Sequence, residues 1–208
     1  MRKACVLALV VAACATAPAQ AAAGPPRSSL ALRAADLPAG WRVTSVKSVS
    51  NAQYAKKEKL PLSRVTGEFK RLTAVDADYV AGSTSGSGLF KGIISASSGA
   101  TVCRSQQGAH ALFGWATAPA RIQHEVTSST TKLRLVRVAT ARRLGSESRL
   151  FRARFTSNGT PLAIYMFLWR RGRVDAALLV GGVAATTGPD DVFRLVTRFD
   201  RRLTPYSK

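Results

Sequence analysis

Arginine is the residue type through which this chain is best equipped to do chemistry. The 208 residues include 31 lysines and arginines against 11 aspartates and glutamates, a formal net charge of +20 at pH 7. A guanidinium group stays charged and presents a planar fork of donors that matches carboxylate and phosphate groups. We therefore predict an anion-binding surface in the last third of the chain, built from Arg152, Arg154, Arg170, Arg171, Arg173, Arg194, Arg198, Arg201 and Arg202.

The partners expected for this surface are anionic. Anionic lipid headgroups, wall polymers and acidic polysaccharide all fit its charge, and a small ligand is a further candidate partner. Nucleic acid is disfavoured, because the aromatic residues that a single-strand platform places among its charges fall here mostly at core positions. A competing interpretation is that the arginines reflect overall composition and only solvate the surface.

Motifs for catalysis, metals and phosphate loops are missing from the sequence. The segment nearest to a nucleophile elbow, Gly82–Gly86, places Thr84 where the serine belongs. The histidines are His110 and His124, and there is no Cys-x-x-Cys pair to complete a metal site. No Gly-x-x-x-x-Gly-Lys-Ser/Thr or Gly-x-Gly-x-x-Gly motif occurs. We predict no metal and no cofactor.

The N-terminus has the pattern of an export signal. Arg2 and Lys3 precede a short apolar run, Ala4–Ala17, which is followed by small residues. The run is too short to cross a hydrocarbon core of about 30 Å as a helix. The small-x-small pattern Ala19–Ala21 places cleavage near residues 21 to 23. We predict a signal peptide over 1–23, a linker over 24–29 and a single domain over 30–208.

An alternative processing route starts from a lipoprotein box. Val11–Cys14 fits that pattern, and Cys14 would then be lipidated and become the new N-terminus. The segment that follows, rich in alanine and proline, would serve as a tether. Both routes place the domain outside the cytoplasmic membrane, either secreted or associated with the cell envelope.

Cleavage near Ala21 leaves Cys103 as the one cysteine of the mature chain. A single cysteine forms no internal disulfide. Because no histidine or pair of cations is adjacent in sequence to lower its pKa, we expect a small, buried and inert side chain.

Hydrophobic patterns place several elements before residue 140. They predict a strand over 42–50, a solvated loop over 51–63, strands over 65–72, 74–82 and 89–96, a helix over 101–118 that ends at Pro119, and a strand over 133–138.

The last third of the chain has the strongest pattern. Turns at Asn158-Gly159 and Arg171-Gly172 join apolar strands into a three-strand antiparallel meander over 149–181. Gly188–Asp191 has the composition of a helix start, since proline is tolerated and carboxylates are favourable in the first turn. The chain is thus predicted to be α+β, with an antiparallel sheet, a C-terminal three-strand meander and two main helices packed on it.

Two segments of the sequence resemble a known group of proteins. Ala35–Trp41, and Leu144–Ser148 leading into strands and the basic turn Arg171–Arg173, are similar to signatures of small exported actinobacterial proteins related to the extracellular sensor domains of transmembrane serine/threonine kinases. The resemblance implies helices packed on an antiparallel sheet around a cleft suited to a ligand. The matched motifs are structural, so no functional residue carries over, and the several cysteines that cross-link those domains are missing here.

These observations together predict a non-enzymatic, exported binding or sensor-like domain at the cell envelope. The first alternative is electrostatic adhesion to anionic envelope polymer or lipid. The second is an enzyme with a cystatin-like fold, whose polar cluster would come together only in the folded chain.

Overall fold

The computed structural model of the protein describes residues 29–37, 40–81, 92–127, 133–139 and 142–208. The predicted signal peptide, Cys14 and Thr84 lie outside these residues. The described strands are β1 (Trp41–Ser48), β2 (Arg71–Ala81), β3 (Ile93–Cys103), β4 (Val136–Val138), β5 (Glu147–Ser157), β6 (Thr160–Arg171) and β7 (Val174–Val183). The helices are α1 (Asn51–Glu58), α2 (Gln106–Ala116), α3 (Pro119–Thr127) and α4 (Pro189–Leu203). None of these helices is long and apolar enough to cross a membrane.

The strands form a single antiparallel sheet in the order β1-β2-β3-β7-β6-β5-β4, and helices pack on it, so the fold is α+β as predicted. β6 lies between β5 and β7 and is paired along its length with both. Asn158 and Gly159 both have positive φ, 49° and 75°, as the tight turn between β5 and β6 requires.

Helices cover both faces of the sheet. β7 alternates strictly: Val174 and Leu178 pack with α4 in one core cluster, while Ala177 and Leu179 pack with α2 and α3 in another. The segment at 30–37 lies on the α4 side. Because the same strands separate the two clusters, each helical layer is positioned by the sheet rather than by the other layer.

A buried carboxylate attaches α4 to the sheet. Asp200 is 5% exposed, and its Oδ1 accepts hydrogen bonds from Trp169 Nε1 at 2.9 Å and from Arg171 Nε at 2.8 Å. Trp169 also packs edge-on against Phe199, with ring centroids 5.6 Å apart. Two residues after Asp200, Arg202 donates to Asp36, and this contact ties the same helix to the segment at 30–37.

The predicted loop over 51–63 is wrong, because the structure has helix α1 there. Ser50 Oγ accepts from Gln53 N, and Gln53 Oε1 accepts from Ser50 N, which forms a capping box.

The predicted strand over 65–72 is also wrong, because Arg64–Glu68 forms a π-helical turn. Val65 and Phe69 are both fully buried. They are four residues apart, which is a helical spacing and not the alternation of a strand.

The predicted helix over 101–118 is divided in the structure. Thr101–Cys103 completes β3, and Ser105 then caps α2 by accepting from Gly108 N at 3.1 Å. Gly108 is required in α2, since a Cβ there would lie 2.5 Å from the Phe69 carbonyl oxygen. Pro119 begins α3 instead of ending a long helix, because proline is well suited to the first helical position.

Predicted strand limits also shift at two places. β3 starts at Ile93, and the part of the predicted strand at 89–91 lies outside the described residues. β4 is reduced to Val136–Val138, which pairs with Leu150–Arg152 of β5.

Replacing Asp200 with alanine should destabilise the protein strongly. The substitution leaves the buried Trp169 N–H without an acceptor and Arg171 without its counter-ion, and we expect a loss of about 2–4 kcal/mol in the free energy of unfolding. Chemical denaturation followed by tryptophan fluorescence would measure it.

The control for this experiment is Asp190→Asn on the same helix. Asp190 forms an exposed pair with Arg142 at 3.0 Å, and its loss should cost less than about 1 kcal/mol. Equal losses in the two variants would contradict the role given to Asp200.

Candidate anion-binding groove

The structure uses four of the predicted arginines in its own framework. Arg170 Nη2 lies 2.6 Å from Glu147 Oε1, and Arg173 Nε donates to the Tyr206 carbonyl at 3.1 Å. Arg171 and Arg202 bind Asp200 and Asp36, as described above. These guanidinium groups hold strands and helix ends together.

Two more of the predicted arginines lie on β5. Arg152 and Arg154 stand opposite Tyr165 and Ala163 of β6, which belong to the α4-side core, so both lie on that face of the sheet. Arg154 borders a shallow hollow of about 430 Å³ near the β5–β6 turn.

The remaining three predicted arginines line one groove. Arg194, Arg198 and Arg201 follow each other at helical spacing on the outer face of α4. The chain between β4 and β5 faces them, and the groove has a volume of about 640 Å³. Its lining consists of Arg142, Arg143, Leu144, Phe193, Arg194, Thr197, Arg198 and Arg201.

The two sides of the groove are connected at one end. Arg142 Nη1 lies 3.0 Å from Asp190 Oδ1, and its guanidinium lies 5.4 Å from the centroid of the Phe193 ring. Cation–π contact of this kind favours a charged group over an aromatic face. The β4–β5 connection is therefore attached to the first turns of α4.

The lining cations lie at the surface, and some of them are engaged with neighbouring residues. Arg198 is exposed, and its Nη1 donates to the Asp36 carbonyl at 2.6 Å. Arg194 has an exposed contact with Asp191 at 3.4 Å. Arg143 and Arg201 are exposed. The lining contains five arginines and no carboxylate, so the groove is suited to an anion.

Sequence analysis missed Arg142 and Arg143. They precede the turn at Gly145, and nothing in their spacing relates them to α4. The one signal in the sequence was the double arginine itself, beside a segment already quoted for its resemblance.

Cys103 is fully buried, as predicted from the sequence. Burial and the nearby Asp175 raise the pKa of its thiol to about 12, which Arg71 only partly offsets. A thiol that stays protonated is a poor nucleophile. Among the described residues, no group of three or more His, Cys, Asp and Glu side chains could hold a metal ion.

Asp175 is a second unusual group on the α2 side of the sheet. Both of its carboxylate oxygens are buried, and no group in the described part of the chain donates a hydrogen bond to either. Burial raises the pKa of Asp175 well above its usual range; Arg170 opposes this shift and Glu147 adds to it. The folded protein thus keeps this carboxyl protonated at pH values where an exposed aspartate is ionised.

No known protein family matches the chain, and no curated protein matches it. Among solved structures, the chain is similar to the extracellular domain of PknH from Mycobacterium tuberculosis, with a TM-score of 0.51 and 6% sequence identity. The match covers 87% of this chain and 97% of that domain. At this identity the likeness shows the fold alone. It confirms the resemblance, seen in the sequence, to extracellular sensor domains of serine/threonine kinases.

Replacing Asp175 with asparagine should stabilise the protein at neutral pH. The unfolded chain releases this proton near pH 3.9, whereas the folded chain, with its raised pKa, retains it. Stability of the wild type therefore falls as the pH rises from about 4 toward the folded pKa. We expect the variant to melt at least about 3 °C higher than the wild type at pH 7, with the difference vanishing near pH 4.

Asp78→Asn is the control with the opposite sign. The hydrogen bond from Ser45 lowers the pKa of Asp78, burial partly offsets it, and Ser97 lowers it further. This variant should lose stability above pH 4. A melting temperature for Asp175→Asn at pH 7 equal to or below that of the wild type would contradict the assignment.

Proposed function

We propose that this protein is an exported, non-enzymatic, sensor-like binding domain of the cell envelope, and that the groove on α4 takes an anionic ligand. The observation that carries the proposal is the lining of that groove by five arginines without a carboxylate. Charge-assisted hydrogen bonds from guanidinium to carboxylate or phosphate are among the strongest available to a protein surface.

The groove also has apolar surface. Phe193 and Leu144 also line it, and Thr197 follows Phe193 by about one turn of α4. A ligand with an anionic group and an apolar portion would contact both kinds of surface. The volume of about 640 Å³ lies in the range of small-molecule sites.

Binding fits the groove better than catalysis does. Arginine remains charged at any pH that a folded protein meets, so it positions anions but does not exchange protons. The thiol of Cys103, which has a raised pKa, lies in a different cluster on the other side of the sheet. This arrangement supports a receptor for a ligand.

Two further observations support a sensor-like role outside the cytoplasm. The first 23 residues have the composition of an export signal. The fold is similar to that of an extracellular domain of a kinase. Export and the sensor-like role belong to the proposal and not to the comparison itself.

Electrostatic adhesion to anionic lipid or wall polymer is the second candidate. The formal charge of +20, or +18 once Arg2 and Lys3 leave with the signal, favours it. Adhesion through total charge would depend on the number of cations and not on their place. The two candidates therefore differ in how binding responds to matched charge removals at different sites.

The double substitution Arg194→Gln/Arg201→Gln should weaken binding of a phosphate amphiphile. The probe is dioctanoyl phosphatidate, with dioctanoyl phosphatidylcholine as its neutral counterpart, and the measurement is isothermal titration calorimetry. We expect the loss of two charge-assisted contacts to reduce affinity about tenfold or more.

The matched control is Arg42→Gln/Lys47→Gln. Both residues are exposed on β1, at the far edge of the sheet, and their removal changes the net charge equally. Affinity of this variant should stay within about twofold of the wild type, because no contact in the groove is lost. An equal loss of affinity in both double variants would support adhesion instead. Undetectable binding by the wild type would contradict the proposal that the groove is the binding site.

A further inference from the structure

A second cavity, of about 530 Å³, lies between the β4–β5 connection and the first residues of β5. It shares Arg142–Leu144 with the α4 groove, and the rest of its lining differs. In contrast to the groove, its lining includes a carboxylate, Glu147, among arginines. A site of mixed charge selects a different class of ligand from a purely basic one.

Glu147 is held by one of its two oxygens. Oε1 accepts from Arg170 Nε at 2.8 Å and from Arg170 Nη2 at 2.6 Å, and His110 Nδ1 lies 2.7 Å from the same atom. Arg170 itself is fixed by donating to the Gly172 carbonyl at 3.0 Å. No donor in the described part of the chain reaches Oε2, and the side chain remains 27% exposed. The second oxygen is therefore left without a donor among the described residues, on a side chain that lines the cavity.

This open oxygen belongs to an ionised group. Burial raises the pKa of Glu147, but hydrogen bonds from His110 and Arg170 more than offset it, so the pKa lies below its usual range. The carboxylate is thus charged and already oriented at neutral pH. A pre-oriented carboxylate with a free oxygen is well suited to accept hydrogen bonds from an ammonium group.

Two exposed arginines supply the opposite charge. Arg137 on β4 and Arg143 in the connection both line the cavity, and neither has a hydrogen-bond or ion-pair partner among the described residues. A third, Arg149, is engaged: it donates to the Thr117 carbonyl at 3.1 Å and lies over Phe113. Arg137 and Arg143 are therefore the cations available to an anionic part of a ligand.

The sheet register sets the backbone separation of the residues that carry the two kinds of charge. Arg137 stands opposite Phe151, and Glu147 lies four residues before Phe151 on the same strand. Four residues of strand span about 13 Å between Cα atoms. An extended chain of three to four residues has a similar length.

We propose that this cavity binds the free amino terminus of a short acidic peptide. Glu147 Oε2 accepts the terminal ammonium, Arg137 and Arg143 take carboxylates of the peptide, and Leu144 contacts an apolar part of it. The site uses Glu147 and Arg137, which the α4 groove does not contain, and it shares Arg143 and Leu144 with that groove.

The test compares three forms of one tripeptide by isothermal titration calorimetry on the purified protein. Ala-Glu-Ala keeps all charges, its N-acetyl form lacks the ammonium, and its C-terminal amide lacks one carboxylate. We expect N-acetylation to weaken binding to the wild type about tenfold or more, because Glu147 Oε2 loses its donor. With Glu147→Gln, the free and acetylated forms should bind within about twofold of each other.

Arg137→Gln and a control complete the design. Arg137 is exposed and has no hydrogen-bond or ion-pair partner among the described residues, so its variant should fold. That variant should lose most of the preference for the free acid over the amide. Glu68→Gln, which alters an exposed glutamate on the π-helical turn, should bind like the wild type. Equal binding of free and acetylated peptide by the wild type would overturn the proposal. Undetectable binding of Ala-Glu-Ala at millimolar concentration, or wild-type affinity and selectivity in Arg137→Gln, would do the same.

Discussion

The buried carboxylate of Asp200 determines where α4 can lie. It accepts from Trp169 in the middle of the sheet and pairs with Arg171 at the end of β6, so the helix has one register on the strands below it. Removing either partner would leave a polar group unpaired in the interior. With α4 fixed in this register, the arginines on its outer face point away from the sheet, and the β4–β5 connection closes one side of the groove that they form.

The same constraint divides the arginines of the chain into two kinds. One kind forms ion pairs that join separate elements, as Arg170, Arg171 and Arg202 do. The paired carboxylates largely neutralise these arginines, so little of their charge is left for a partner. Five other arginines line the groove beside the β4–β5 connection, and no lining residue there is a carboxylate. The position of these guanidinium groups therefore matters more for binding than the total charge of +20.

Sequence patterns were sufficient to predict an element where apolar residues alternate with polar ones or recur at helical spacing. The antiparallel sheet with packed helices, and the resemblance to kinase sensor domains, followed from such patterns and short motifs. α1 was missed because its sequence is mostly polar, and its helix depends on the cap at Ser50. The groove could not be predicted, since it joins residues about fifty positions apart in the chain. Glu147 was missed for the same reason: its partners His110 and Arg170 lie on different elements.

The most direct test of the account is a titration of the ¹⁵N-labelled protein with inorganic pyrophosphate, followed by backbone amide chemical shifts. If the α4 groove is the anion site, saturable shifts should be confined to the β4–β5 connection, around Arg142–Leu144, and to α4 between Phe193 and Arg201. Shifts spread evenly over the exposed cations, including those of β1, or no saturable shift in the groove, would contradict the account.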